Sequence, residues 1–273
     1  MGIKRYFADA DTTISNAYKA DLRNRATGSN MGQSDILEVF SLYGQATTTS
    51  SELSRMLIQF PVSDISADRA SGAIPASGSV SFYLRMFNAE HSQTLPRNFM
   101  LEVSAAASGW EEGNGLDMDG YSDLTYDEVG ASWTKRSAGT SWANAGGDFH
   151  TLYNNYSDLS SSFSQTFSIG DEDLEIDVTP LVEQWINSAG NTLGSKTNNG
   201  FGIKFKTSHE SETKSYYTKK FFARSSEFFF ERPVLEARYE NRTLDDRGNF
   251  YFSSSLASDT DNLNTVYLYN YVR

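Results

Sequence analysis

Short runs in which apolar and polar residues alternate are what most limits the folds open to this chain. In Val80-Ser81-Phe82-Tyr83-Leu84-Arg85-Met86, the side chains of Val80, Phe82, Leu84 and Met86 fall on one face of a pleated strand, while Ser81, Tyr83 and Arg85 fall on the other. One face packs; the other meets water or a partner. Runs of similar length, aromatic or β-branched, occur at Arg55–Phe60, Phe99–Val103, Phe163–Phe167 and Val234–Tyr239. Between them lie Gly/Ser/Asn/Asp-rich stretches, Ala26–Gln33, Gly109–Asp123 and Ser188–Gly200, whose residues make turns readily. One segment reads as helix: Thr179 caps it, Pro180 takes the first helical position, and Leu181, Val182, Trp185 and Ile186 share a face until Gly190.

Many short strands with one short helix predict an all-β, jelly-roll-like two-sheet sandwich over residues 1–239, since a doubly wound α/β fold needs a helical crossover between each pair of parallel strands. After Tyr239 the polar segment Glu240–Asn249 reads as a linker or crossover to a C-terminal β extension, with Phe250–Phe252 and a strand at Thr265–Val272. A lone terminal hairpin is marginally stable in water, so residues 240–273 are expected either to add to a sheet or to begin a further domain in a longer product.

Composition narrows the chemistry. The 273 residues include no cysteine, which removes disulfides, thiolate catalysis, cysteine-based zinc sites and iron–sulfur clusters together. No run of 18 apolar residues occurs, and Met1–Thr13 lacks an apolar core of signal-peptide length, so the expectation is synthesis in a cytoplasm with no conventional export and no membrane insertion. The net charge of −12 is concentrated: residues 102–177 hold fifteen acids against two bases, Lys135 and Arg136, a balance of −13 that leaves the remainder at +1. That distribution opposes nucleic-acid binding, which needs Lys and Arg to displace counterions from phosphates, and suits cations or basic partners.

The order of several motifs resembles a known family. Arg55–Phe60 with the later Ile74-Pro75, Val80–Met86, Trp110-Glu111-Glu112, Ala131-Ser132-Trp133-Thr134, Gly146-Gly147-Asp148-Phe149, Ile176–Trp185, Asn198–Ile203 and Arg232–Glu236 together resemble the DNRLRE-type β-sandwich domain, over roughly residues 7–239. That domain is similar to disaggregatase-related carbohydrate-binding modules and occurs as a non-catalytic unit of surface and secreted proteins. The family's name-giving hexapeptide is absent here and the loop Gly109–Val129 is longer and more acidic, so no ligand is carried over. The opening Met1–Ile14 is similar to the N-terminus of virion structural proteins of tailed marine phages, which leave the cell by lysis and need no signal peptide.

Candidate sites follow from residue chemistry. The stretch Glu111–Asp123 places oxygen ligands in a glycine-softened loop, as a calcium ion requires, with Asp117, Asp119 and Asp123 as candidate ligands; the spacing is not that of an EF-hand, and a solvated acidic loop is the competing reading. Trp133 and Trp185 read as core, whereas Trp110 and Trp142 flank loops and are candidate contacts to a glycan or a partner. His91, His150 and His209 are isolated from one another, no Gly-x-Ser-x-Gly elbow is present, and no catalytic constellation is recognisable, so no enzyme is expected. Phe221-Phe222 and Phe228-Phe229-Phe230 read equally as a strand buried on both sides or as contacts to a second sheet or subunit.

These readings converge on a non-catalytic phage virion component, a peripheral fibre, neck, tail or capsid-decoration part. It is expected to act through multivalent contacts with other virion proteins and to form a homo-oligomer. The alternative is an adhesion module that grips host-surface or matrix polysaccharide through Trp110 and Trp142.

Overall fold

The computed structural model of the chain describes residues 1–90, 95–116, 130–150, 161–242 and 267–268. The alternating runs form antiparallel strands in two principal sheets, an all-β sandwich as the residue pattern predicts. The smaller sheet has the order β1 (Gly2–Phe7), β13 (Val234–Tyr239), β5 (Val80–Met86), β10 (Leu174–Asp177). The larger runs β12 (Tyr216–Phe222), β3 (Ile36–Tyr43), β4 (Ser51–Gln59), β11 (Phe201–Phe205), β6 (Phe99–Ala105), β9 (Ser162–Phe167). A further strand, β2 (Ala10–Ser15), pairs with β4, and β7 (Lys135–Ser137) and β8 (Thr140–Ser141) form a small separate ribbon.

One edge of β4 is shared. Its first residues, Ser51–Leu53, pair with β3, and from Ser54 onward β2 takes their place. Side chains close the seam where β2 and β3 separate: Ser54 Oγ accepts the Phe40 N–H and donates to the Glu38 carbonyl, and the Glu38 N–H donates to Thr13 Oγ1. These bonds satisfy backbone groups that would otherwise be buried without partners.

The main core lies between the sheets. Val80, Phe82, Leu84 and Met86 of β5 all face it, against Met56, Ile58, Phe99, Leu101, Val103, Phe201, Ile203 and Phe205 of the larger sheet. Phe99 stacks on Phe167 at 5.0 Å, and Trp185 meets Phe201 edge-on at 4.8 Å. A second apolar cluster covers the middle of the opposite face of the larger sheet, where Ile14 and Leu57 pack under Ala131, Trp133 and Trp142, with Trp110 and Phe149 at its margin. Gly202 is required there, because a Cβ at that position would lie 1.9 Å from the Phe149 ring. The side chain of Phe149 closes over the strand that glycine leaves bare.

Helices differ from expectation in number and limits. The predicted helix is α2 (Thr179–Ile186), with Pro180 in its first turn as expected, but it stops before Gly190 because Asn187 adopts the left-handed conformation. Thr179 does not cap it; its hydroxyl accepts the Phe82 N–H and donates to Asp177 Oδ1, tying the helix start to β5. Two helices were not predicted, α1 (Val62–Ser71) and the single turn α3 (Thr207–Ser211). α1 buries only Ile65 and so lacks an apolar stripe for sequence reading to find. It is held to α2 by a buried bidentate pair, Arg69 with Glu183, at 2.7 and 3.2 Å.

Beyond β13, Glu240 lies 3.9 Å from the amino terminus and pairs with Arg242. The predicted linker beyond Arg242, Phe250–Phe252 and the strand Thr265–Val272 lie outside the described residues, apart from Tyr267 and Leu268, both exposed.

Candidate interaction surface

The two sheets treat their outer faces differently. The second apolar cluster covers the middle of the larger sheet's outer face, over β2, β4 and β11, and leaves side chains such as Tyr217 and Ser164 exposed at its flanks; that of the smaller sheet presents a continuous set of charged and aromatic side chains. Alternation dictates which ones. The β1–β13–β5–β10 register lines up Phe7, Val234, Arg85 and Glu175 in one row, Arg5, Glu236, Tyr83 and Asp177 in the next, and Ile3, Arg238 and Ser81 in a third. The sequence placed Ser81, Tyr83 and Arg85 on this polar face; Glu236 and Arg238, two residues apart on β13, carry the same signal and were not singled out.

Glu236 is the centre of the network. Its side chain is 1% exposed beneath three guanidinium groups, receiving Arg5 Nε at 2.9 Å, Arg85 Nη1 at 3.3 Å, and Arg238 Nε and Nη2 at 2.9 and 2.7 Å. Burial pushes its carboxyl up, but the hydrogen bonds from Arg238 and Arg5 and the charge of Arg85 outweigh burial and hold it below the ordinary glutamate value. Glu175 bridges the outer side, 2.7 Å from Arg238 and 3.1 Å from Arg85. The arginines also lie over rings, Arg238 over Tyr83 at 4.1 Å and Arg85 over Phe87 at 4.9 Å. Three bases and three acids, Asp177 included, balance on this face of a chain whose net charge is −12.

At one margin the face continues into an apolar patch. Phe228, Phe229 and Phe230 are 53%, 48% and 76% exposed, and Phe229 packs on Phe7 at 4.6 Å with Arg232 over its other side. Of the two readings of this phenylalanine-rich stretch, the strand buried on both sides is corrected for these three residues: a 3-10 turn at Phe229–Glu231 leaves their rings outward, ahead of Pro233, whose missing N–H keeps the β13 ladder from running back into them. Phe221, by contrast, is buried in β12. At the far margin, Met1, Ser81, Tyr83, Arg238, Tyr239 and Glu240 line an open groove of about 410 Å³.

The predicted contact residues lie elsewhere. Trp142 is corrected: it is 5% exposed within the second apolar cluster, and its indole N–H donates to the Ser132 carbonyl, so neither ring face is available to a sugar. Trp110 is half-buried at the same cluster with its N–H donated to the Asn199 carbonyl. Trp133 and Trp185 are core, as read. The candidate calcium ligands Asp117, Asp119 and Asp123 lie outside the described residues. Among the described residues, no three His, Asp or Glu side chains are grouped to hold a metal ion.

The base of that acidic loop is described, and it is rigidly built. Asn30, fully buried, donates to the carbonyls of Glu112 and Ala131 and accepts from the N–H groups of Gly115 and its own neighbour Gly32, so its side-chain bonding capacity is filled and three of the four bonds join the two stems. Beside it Arg224 grips the Glu112 carboxylate through Nε and Nη2, and Glu112 also accepts the Asp11 N–H at 2.8 Å. Of the histidines, His209 bonds Glu212 at 2.8 Å and packs on Tyr216, His150 lies beside Ala105, and His91 falls outside the described residues. No protein-family model matches the chain, and no curated protein matches it.

Proposed function

We propose that the chain is a non-catalytic structural module that works through protein–protein contact, a peripheral component of a phage particle in a fibre, neck, tail or capsid-decoration position. The observation that carries this reading is the outer face of the smaller sheet with its phenylalanine margin. Arg, Tyr and Phe are residue types enriched at protein interfaces, and here the arginines are held by hydrogen bonds to Glu236 and Glu175, Tyr83 by the Arg238 guanidinium and Phe229 by Phe7 before any partner arrives. Pre-ordering lowers the entropic cost of association. The resemblance of residues 7–239 to a non-catalytic sandwich domain and of the N-terminus to phage structural proteins supports the setting. Mass spectrometry of purified particles tests it: recovery of the chain at fixed stoichiometry is expected, and its presence only in the soluble fraction of the lysate would reject it.

A second reading, binding of polysaccharide, is favoured by the groove at Tyr83, Arg238 and Tyr239 rather than by the tryptophans. Glycan-array retention that is lost on Tyr83→Ala and unaffected by Trp110→Phe would support it.

A further inference from the structure

We infer that the partner of the smaller sheet's outer face is a second copy of this chain, docked face to face about a two-fold axis; this rests on the contact-module reading above and names its partner. Charge is the first argument. The molecule carries −12 overall, yet Arg5, Arg85 and Arg238 on this face are matched by Glu175, Asp177 and Glu236. A strongly basic partner finds no excess of acid here, and a strongly acidic one finds no excess of base. A copy of the same face, rotated by 180° about an axis along the strands, brings the exposed Glu175 and Asp177 of one β10 over the exposed Arg5 of the other's β1, and keeps the acidic remainder of both molecules off the contact. Such self-complementarity is what a two-fold interface requires.

Area is the second argument. Four strands about 4.8 Å apart and six residues long at about 3.3 Å each present roughly 350 Å². The three phenylalanines, at about 200 Å² per ring and the exposures given above, add roughly 350 Å². The sum, about 700 Å² per partner, is close to the ~800 Å² of a stable complex, and neither half suffices alone. Ile3, 47% exposed in the third row, adds an apolar contact at the end of the face remote from Phe229.

Sedimentation velocity from about 1 to 200 µM tests the inference. The wild-type chain is expected to pass from monomer to dimer, with the dissociation constant raised at least about tenfold in Phe229→Ser/Phe230→Ser and, independently, in Ile3→Glu. Each substitution is at an exposed side chain, and an unchanged circular dichroism spectrum confirms folding. Leu22→Asn, at an exposed position in the loop after β2, is expected to leave the dimer intact. A wild-type chain that stays monomeric at 200 µM, or a dimer indifferent to both face variants, overturns the inference. Neither result touches the contact-module reading, which stands or falls on recovery of the chain in particles.

Discussion

Asp11 offers the sharpest test of the described packing. It lies on β2 opposite Ile58, pointing into the molecule at 1% exposure. One carboxylate oxygen accepts the Arg224 N–H at 2.6 Å, and the other, Oδ1, has no hydrogen-bond partner. Burial pushes its pKa up to about 7; the Arg224 N–H pulls it back and the neighbouring Glu112 charge pushes it further. A carboxyl whose folded pKa is raised contributes stability that is full below its unfolded value, near 3.8, and is lost as pH climbs through about 7. A displacement of about three units corresponds to roughly 4 kcal/mol, or about 10 °C in melting temperature for a domain of this size. Asp11→Asn keeps an acceptor for the Arg224 N–H and cannot ionise. Thermal melts of both proteins from pH 4 to pH 8 at constant ionic strength should therefore agree within about 2 °C at pH 4 and diverge as pH rises, the variant melting higher at pH 8. A variant that melts lower than wild type by the same margin at both ends would refute the reasoning, since it would mean the carboxylate is ionised throughout and held by Arg224.

Other perturbations probe separate joints of the molecule. Glu183→Gln leaves Arg69 buried without its counter-charge and should destabilise by about 3–5 kcal/mol in urea titration, while Arg69→Met/Glu183→Leu should recover most of that loss. Asn30→Ala strips partners from two N–H groups and two carbonyls at the base of the acidic loop; a loss of at least about 3 kcal/mol and faster hydrogen exchange at Gly115 are expected. Gly202→Ala drives a methyl group into the Phe149 ring, and a loss of about 1–3 kcal/mol with altered tryptophan fluorescence from the adjoining cluster should result.

The two-layer fold was legible because strand burial leaves a period of two. Val80–Met86 and Val234–Tyr239 form strands with the limits read from sequence, and the inward set of β5 is the one expected. Features without a period were not legible. α1 buries one residue, and α3 is a single turn whose role depends on Glu210 meeting Arg55, 155 positions away. Trp142 was misplaced for the same reason: its neighbours in sequence are turn residues, and only the fold of the loops onto Ile14 and Leu57 puts it inside. The interaction surface was half visible. Tyr83 and Arg85 announced a polar face, but the ladder that completes it with Arg5 and Glu236 joins the two ends of the domain. The outward turn of Phe228–Phe230 came as a surprise because three adjacent phenylalanines ordinarily mark a core.

Hydroxyl-radical footprinting of the chain, free at low concentration and again within purified particles, tests most directly whether the smaller sheet and its phenylalanine margin are the working surface. Phe228, Phe229, Phe230 and Tyr83 should be labelled in the free protein and protected at least several-fold in the particle, while Leu22 is labelled equally in both. Equal labelling of the phenylalanines and Tyr83 in the two states would contradict the account.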